Sequence, residues 1–235
     1  MNITIYQGHY PPPNPDGITV VIDVIRAFTT THFAFVGGVT QILPVATAEQ
    51  AFALRQQFPR ALLAGEVDAL PIEGFDFGNS PWEVDNADLA GRTLIMRTTN
   101  GMKATLNARP CAGLFVTGLI SAPATAEMIR ARNPRHVLLV ASHPTGDEDM
   151  ACAEYLSLLL GGAGISRDQA RTRTRQARSA VKFLNGSNPR LRAADIDMAA
   201  RCEPTGFAME VTGEAPIAIH AVPLVQGKES TPGVL

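Results

Sequence analysis

The sequence predicts an α/β protein with a three-layer α/β/α arrangement and a largely parallel or mixed sheet. Short runs of aliphatic and β-branched residues alternate with helical segments along most of the 235 residues, which is typical of strands joined by helices. The run 18–24 is almost continuously apolar, the pattern of a central strand covered on both faces. Because strand, polar turn and helix recur, an internal pseudo-repeat is a possibility within a single domain spanning residues 1–235.

Local patterns predict the individual elements. Segment 11–17 is rich in proline and should be extended and turn-like, because proline fixes φ and removes a backbone donor. Thr47-Ala48-Glu49-Gln50 has the pattern of a capping box that opens a helix. Strands are expected at 18–24, 41–45, 61–64, 93–97, 114–117, 137–141 and 217–225. Helices are expected from the threonines at 29–31 to 36, and at 47–58, 82–90 (a short helix or turn), 102–108, 122–132, 148–160, after 166 and around 195–197.

Composition argues against several classes of protein. The net charge is −2, with 46% hydrophobic and 18% charged residues, so no overall positive field attracts nucleic acid. The longest apolar runs are strand-sized and the first residues lack a signal-peptide pattern, so we expect a cytoplasmic protein that does not enter a membrane. Three widely spaced cysteines fit free thiols. A homodimer is a possibility that the sequence leaves open.

Residues 65–81 are the segment around which the chain is organised. They include four carboxylates, three glycines and two prolines, a composition that predicts a loop with no regular structure. Ile72, Phe75 and Phe77 indicate that this loop lies against a core. Long ordered loops are often functional, and the alternative is a structural loop whose acids face water.

Acids crowded in this loop predict a metal site. Carboxylate oxygens suit Mg²⁺, and like charges that are brought together need a cation to remain ionised. Gly74 and Gly78 let the backbone turn, so Glu73 and Asp76 are expected to face one point. We therefore expect Glu73, Asp76 and Asp149 to hold Mg²⁺, with Asp76 also acting in catalysis.

Other candidates follow the ends of predicted strands, where ligands bind in open α/β sheets. Asp23 and Arg26 follow the first strand and are expected to be catalytic. Arg97 ends a later strand. Because a buried guanidinium needs an anionic partner, Arg26 and Arg97 are expected to bind a substrate phosphate, unless Asp23 or the acidic loop pairs with Arg26.

The turn Thr98-Thr99-Asn100-Gly101 precedes a predicted helix, so its hydroxyl and N–H groups could hold a phosphate. The alternative is simple N-capping by Thr or Asn. Glu148 is expected to be catalytic, although acids in a first helical turn also offset the helix dipole.

Three further features are read as structural. Cys152 lies on an Ala-rich face and should be a small buried hydrophobe that is dispensable for chemistry. His143 at a strand end could act as an acid or base, but a lone histidine is usually structural. The arginines after residue 166 predict a solvated face, or alternatively a rim that attracts anionic substrate or contacts a partner subunit.

Together these segments resemble the 2-phosphosulfolactate phosphatase family, the Mg²⁺-dependent hydrolases of the coenzyme M pathway. The resemblance rests on four segments in order across residues 18–155: Val20-Val21-Ile22-Asp23-Val24-Ile25-Arg26-Ala27, Ile72-Glu73-Gly74-Phe75-Asp76-Phe77-Gly78-Asn79-Ser80-Pro81, Thr98-Thr99-Asn100-Gly101, and Glu148-Asp149 with Cys152. The second segment is the most specific of the four.

The resemblance implies a three-layer α/β/α fold and hydrolysis of a phosphate ester on a small sulfonated or carboxylated acid. It also implies site roles for the positions that match the family pattern, which are Asp23, Arg26, Glu73, Asp76, Asn79, Thr99, Asn100, Glu148 and Asp149. The chain departs from the family at 67–70, at 119–122 and in its C-terminal third. Those departures bear on the substrate more than on the reaction type.

The sequence therefore predicts a phosphomonoesterase that uses Mg²⁺, a small anionic phosphorylated substrate and an attacking water. A transient aspartyl-phosphate at Asp23 stays open, although position 25 is Ile25 and lacks the second Asp of that motif. Two alternatives are a non-catalytic protein that binds an anionic metabolite, and a phosphatase of the same fold with another substrate. A pure anion binder would gain nothing from carboxylates beside its ligand.

Overall fold

The computed structural model describes residues 1–224. Within them lie ten strands: β1 (Asn2–Gln7), β2 (Asn14–Ile22), β3 (Gln41–Pro44), β4 (Leu62–Val67), β5 (Leu70–Pro71), β6 (Thr93–Arg97), β7 (Cys111–Thr117), β8 (His136–Ala141), β9 (Phe207–Thr212) and β10 (Ala218–Pro223). The described residues also form nine α-helices: α1 (Ala27–Val36), α2 (Ala48–Gln57), α3 (Pro81–Asp85), α4 (Gly101–Asn107), α5 (Ala122–Arg132), α6 (Asp147–Leu159), α7 (Arg167–Gln176), α8 (Arg178–Leu184) and α9 (Ala193–Ala199).

All ten strands lie side by side in the order β1-β8-β2-β7-β9-β10-β3-β6-β4-β5. Strands β1, β8, β2 and β7 are parallel to one another, and so are β3, β6 and β4. The β9–β10 hairpin joins the two parallel groups through three antiparallel pairings, β7 with β9, β9 with β10, and β10 with β3. The sheet is therefore mixed, as expected, and its two parallel groups run in opposite directions along the ladder.

Helices cover both faces of the central strand β2. Val20 and Ile22 pack in one apolar cluster with residues of α5 and α6, whereas Val21 packs in another with residues of α1 and α4. Successive strand residues point to opposite faces, so two helical layers enclose β2. This confirms the α/β class, while the three-layer arrangement of the whole chain and the internal pseudo-repeat stay predictions.

Most predicted elements occur within a few residues of their expected positions. Strands β1, β5 and β9 were not predicted, and the last expected strand ends at Pro223; Val225 lies outside the described residues. Helix α1 begins before the threonines expected to cap it, because the Asp23 carboxylate accepts the Ala27 N–H at 3.0 Å and starts the helix there.

The expectation that residues 65–81 hold no regular structure is wrong at the beginning of that segment. Strand β4 extends to Val67 and pairs with the short strand β5. Asp68 and Ala69 make the turn between them with positive φ angles of 53° and 71°. Gly65 is required in β4, because a Cβ there would lie 2.1 Å from the Arg97 carbonyl oxygen on β6. Strands β4 and β6 therefore approach closely at this point, and Glu66 lies against the start of α4.

Among the described residues, no helix has the length and hydrophobicity needed to cross a bilayer.

Candidate functional site

Polar side chains from both parallel groups of strands meet at a cavity of about 180 Å³. Asp23 follows β2, Glu66 lies on β4, and Thr99 and Asn100 follow β6. The polar lining residues are Asp23, Arg26, Glu66, Asp68, Asn79, Thr99, Asn100, His143, Ser179 and Lys182. The sequence predicted Asp23, Arg26, Asn79, Thr99 and Asn100 among them.

Asp23 is almost fully buried at this cavity and is fixed by two backbone donors. The Ala27 N–H donates to Oδ1 at 3.0 Å, and the Gly101 N–H donates to Oδ2 at 2.8 Å. The pKa of Asp23 is raised to about 7, mainly by burial and also by the nearby carboxylates of Glu66 and Glu148, while the two backbone hydrogen bonds oppose this increase. A carboxyl group in this range can exchange a proton near neutral pH.

Glu66 joins β4 to the turn before α4. The N–H groups of Thr99 and Ala69 each donate to its carboxylate at 2.6 Å, to Oε1 and Oε2 respectively. The Arg97 guanidinium donates to the Glu66 carbonyl and, at 3.3 Å, to the Thr99 hydroxyl. Arg97 therefore braces this turn and is absent from the cavity lining.

Donors expected to hold a phosphate at the start of α4 are already used. The Thr99 N–H binds Glu66, the Gly101 N–H binds Asp23, and the Met102 N–H donates to the Thr98 hydroxyl at 3.0 Å. The N-cap residue is Asn100, whose side chain makes no capping bond; the Thr98 hydroxyl instead satisfies one N–H of the first turn, close to the alternative that the sequence left open. This helix start orients the protein's own carboxylates, and the structure does not leave those three N–H groups for a ligand.

Arg26 has an anionic partner that the sequence analysis did not consider. Its guanidinium donates to the Asp195 carboxylate at 2.8 Å and to the Ala69 carbonyl at 3.0 Å, and it lies 4.5 Å from the centre of the Phe183 ring. Asp195 is completely buried and also accepts the Ser80 hydroxyl at 2.7 Å. Arg26 still lines the cavity, but its charge is balanced inside the protein.

Glu148 and Asp149 lie buried at the start of α6. Asp149 accepts the Val24 N–H at 2.8 Å and the His143 N–H at 3.0 Å, so it connects the ends of β2 and β8. Burial, followed by the charges of Asp23 and Glu148, raises its pKa well above the ordinary value. Glu148 accepts the Ser179 hydroxyl on Oε1 at 2.7 Å, while its buried Oε2 has no hydrogen-bond partner among the described residues.

A second cavity of about 310 Å³ adjoins the first. His143, Ser179 and Lys182 line both cavities, and Glu148 and Arg178 line the second. Helix α8 is held there by a small apolar cluster in which Ala180 and Phe183 contact Ala69, Leu191 and Ile196, with Ile25 against it. The packing of α8 therefore presents Lys182 to the site.

The acids of the predicted metal loop are placed elsewhere. Asp76 accepts the Leu63 N–H at 2.8 Å and lies 3.3 Å from the Arg55 guanidinium, and Glu73 is exposed. Neither lines the cavity beside Asp23. The structure thus does not bring Glu73 and Asp76 together with Asp149, because β4 and α2 engage Asp76 on another side of the loop.

Over residues 1–224, no group of three or more His, Cys, Asp or Glu side chains is arranged to hold a metal ion. Mg²⁺ commonly uses only one or two carboxylates, together with water and substrate phosphate. Glu66 and Glu148 lie close enough to Asp23 to raise its pKa, and Glu148 Oε2 is a buried oxygen without a donor. The chemistry of these carboxylate oxygens therefore fits a hard divalent cation.

Sequence reasoning missed Asp195, Ser179 and Lys182 as contributors to this site. Asp195 is one of two acids in α9, and only the fold shows that it pairs with Arg26. Ser179 and Lys182 belong to the arginine-rich region, where several arginines do make surface ion pairs, such as Arg173 with Asp147 and Glu154.

Cys152 is buried, and burial raises the pKa of its thiol well above the usual value, which disfavours a thiolate.

The chain is similar in sequence to proteins of one named family. Residues 6–195 match the family model described as 2-phosphosulpholactate phosphatase. A probable 2-phosphosulfolactate phosphatase of Bacillus subtilis (strain 168) is 42% identical over 222 residues, covering 92% of this chain and 97% of the relative. A protein of the same name from Deinococcus radiodurans is 42% identical over 137 residues, covering 58% of this chain and 52% of the relative. Another from Synechocystis sp. is 32% identical over 174 residues, covering 70% of this chain and 71% of the relative.

Proposed function

Because the chain belongs to the 2-phosphosulpholactate phosphatase family, a family of phosphoric monoester hydrolases, we propose that it hydrolyses the phosphate ester of a small anionic hydroxy acid. The proposed substrate is 2-phosphosulfolactate, which yields sulfolactate and phosphate. A cytoplasmic location, a role in the coenzyme M pathway and a homodimer remain part of this proposal.

The observation that carries the proposal is Asp23, a buried carboxyl group in the cavity with a pKa raised to about 7. Its two backbone hydrogen bonds fix both oxygens relative to the start of α1 and the start of α4. A fixed carboxyl that changes protonation near neutral pH suits the transfer of a proton from an attacking water. A protein that only bound an anion would be weakened by this group.

The charge of the cavity supports a requirement for a cation. Asp23, Glu66 and Asp68 line it, whereas Arg26 is balanced by Asp195 and Lys182 is the remaining basic side chain in that lining. A phosphate dianion would be repelled by such a lining. Glu148 and Glu66 would hold Mg²⁺, which when bound would neutralise phosphate charge and stabilise the charge that develops during hydrolysis.

We propose direct hydrolysis by water. The water oxygen forms a bond to phosphorus while the ester P–O bond breaks. The electron pair of the broken P–O bond passes to the oxygen of the hydroxy acid. Asp23 accepts the proton of the attacking water, and the departing oxygen takes a proton from solvent. Arg26 forms the wall of the cavity beside the phosphate, and the Asn79 amide, whose buried Oδ1 is unpartnered within residues 1–224, contacts the substrate.

The direct test is phosphate release from 2-phosphosulfolactate by the purified protein, with and without Mg²⁺. We expect Mg²⁺-dependent turnover that falls at least about a hundredfold in Asp23→Asn, consistent with the usual contribution of a general base. Turnover that is unchanged in Asp23→Asn would contradict the role of Asp23, and no release with any divalent metal would contradict the proposed substrate.

A matched pair of variants locates the metal. Glu148→Gln should abolish the rise in melting temperature that Mg²⁺ causes by binding the native state. Asp76→Asn, which changes an acid held by Arg55 and the Leu63 N–H, should retain that rise. The opposite outcome would return the metal to the loop at 65–81.

A further inference from the structure

Arg178 and Lys182 on α8 form a basic face at the second cavity. They are four residues apart, so they lie on the same side of the helix, and both line the cavity of about 310 Å³. Two acids also line it: Asp147, which pairs with Arg173, and Glu148, which accepts the Ser179 hydroxyl. Within residues 1–224, neither has a carboxylate within 4.0 Å, whereas nearby Arg173 and Arg175 do. Two like charges at this spacing destabilise a helix slightly, and a bound anion would relieve their repulsion.

The wall between the two cavities adds a neutral donor to this face. The Thr145 N–H donates to Nδ1 of His143 at 3.1 Å. Since Nδ1 accepts that bond, the ring proton lies on Nε2. His143 lines both cavities, so a ligand that extends from one into the other passes this side chain.

Contacts of α8 fix this helix relative to Glu148 and Arg26. Ser179, between the two basic residues, donates to Glu148 at 2.7 Å, and the neighbouring Phe183 packs on the Arg26 guanidinium. The basic face therefore lies at a set distance from Asp23 and Glu148. Such an arrangement favours a small molecule whose two charged groups are separated by a matching distance.

From these contacts we infer that Lys182, with Arg178 and His143, binds a second anionic group of the substrate, a carboxylate or sulfonate close to the phosphate ester. This inference rests on the proposed function, which places the phosphate beside Asp23 and Glu148. The occupant is a small acid whose two charged ends lie in adjoining cavities. Lys182 is thus a specificity-determining residue, because it selects phosphate esters that carry another negative charge.

Two substrates that differ in this second group test the inference. Phosphoglycolate carries a carboxylate next to its phosphate ester, and ethyl phosphate carries a methyl group in its place. In Lys182→Met, kcat/KM should fall at least about tenfold for phosphoglycolate, equivalent to about 1.4 kcal/mol, and less than about twofold for ethyl phosphate. The control is Arg190→Met, which removes one exposed positive charge outside both cavities and should leave both values unchanged.

An equal loss of kcat/KM on both substrates would overturn the inference, since Lys182 would then act on the phosphate. No loss on either would overturn it as well.

A binding measurement keeps this test separate from the proposed reaction. Sulfoacetate has a carboxylate and a sulfonate but no ester to hydrolyse, and its affinity can be measured by calorimetry in the presence of Mg²⁺. The dissociation constant should rise at least about fivefold in Lys182→Met and stay constant in Arg190→Met. Equal affinity in the wild type and Lys182→Met would refute the basic face even if the phosphatase is active, whereas the predicted difference would support it even if no ester is hydrolysed.

Discussion

Arg26 and Asp195 form an ion pair of 2.8 Å in which the arginine is 4% exposed and the aspartate is completely buried. Arg26 lies between β2 and α1, and Asp195 lies in α9, so the pair connects two distant parts of the chain. Asp195 also holds Ser80 and the Trp82 N–H, at 2.7 Å and 3.3 Å. One carboxylate thus fixes the entrance to α1, the start of α3 and the position of α9.

Removing one partner of this pair should be strongly destabilising, because it leaves the other charge buried and uncompensated. Asp195→Asn is expected to lower the free energy of unfolding by about 3–5 kcal/mol, measured by urea denaturation. Arg26→Lys loses the forked guanidinium that reaches both Asp195 and Ala69. Because it keeps the positive charge, it should lower the free energy of unfolding less than Asp195→Asn does. If Arg26→Lys reduces kcat/KM more than tenfold without loss of stability, Arg26 binds substrate as the sequence predicted.

Gly101 allows α4 to approach Asp23. A Cβ at this position would lie 2.8 Å from both the Ala27 Cβ and the Asp23 Oδ2. Gly101→Ala should therefore displace the Asp23 carboxylate, cost about 1–3 kcal/mol of stability through overpacking, and lower turnover more than tenfold. Leu106→Ala on the exposed side of α4 is the control and should retain turnover. Normal kinetics in Gly101→Ala would show that the distance between α4 and Asp23 is unimportant for the reaction.

The raised pKa of Asp23 makes stability depend on pH and on the metal. Between its ordinary value of 3.8 and about 7, the folded protein retains a proton that the unfolded chain has lost. This group therefore favours folding at low pH, and its contribution is lost as the pH rises through about 7. A divalent cation offsets the charge of ionised Asp23, so the increase in melting temperature caused by Mg²⁺ should be larger at about pH 8 than at about pH 6. An increase that does not change with pH would mean that the cation binds away from Asp23.

His32 should have the opposite effect. It is buried in α1, stacks on Phe207 with 5.0 Å between ring centres, and burial lowers its pKa to about 4 from 6.5. The unfolded chain binds a proton in this interval and the folded protein does not, so the stability present above pH 6.5 falls as the pH drops towards 4. His32→Phe keeps an aromatic ring on Phe207, and its unfolding free energy should decrease less over that interval.

The exposed His136→Gln is the matched control for His32→Phe and should retain the wild-type slope of unfolding free energy against pH. Identical slopes for wild type and His32→Phe would show that His32 is not the group responsible.

The sequence supported many element positions and a part of the site, for reasons that particular residues illustrate. Asp23 could be identified because it ends an apolar strand, and the strand signal is local. Glu66 comes two residues after the strand predicted at 61–64, yet its hydrogen bonds to Thr99 and Ala69 depend on how β4 and β6 pair. Asp195 and Lys182 lie in polar helices, where a buried acid and an unpaired base look like any surface charges. Asp76 shows the converse, because a cluster of acids along the chain need not be a cluster in space.

The β9–β10 hairpin has a consequence for how the protein is made. It lies between β7 and β3 in the sheet, but it is encoded after all the other described elements. A chain emerging from the ribosome can form each parallel group as soon as its own strands are available. It can unite them only when residues 207–223 have emerged, so the complete sheet is expected to form after synthesis of this hairpin.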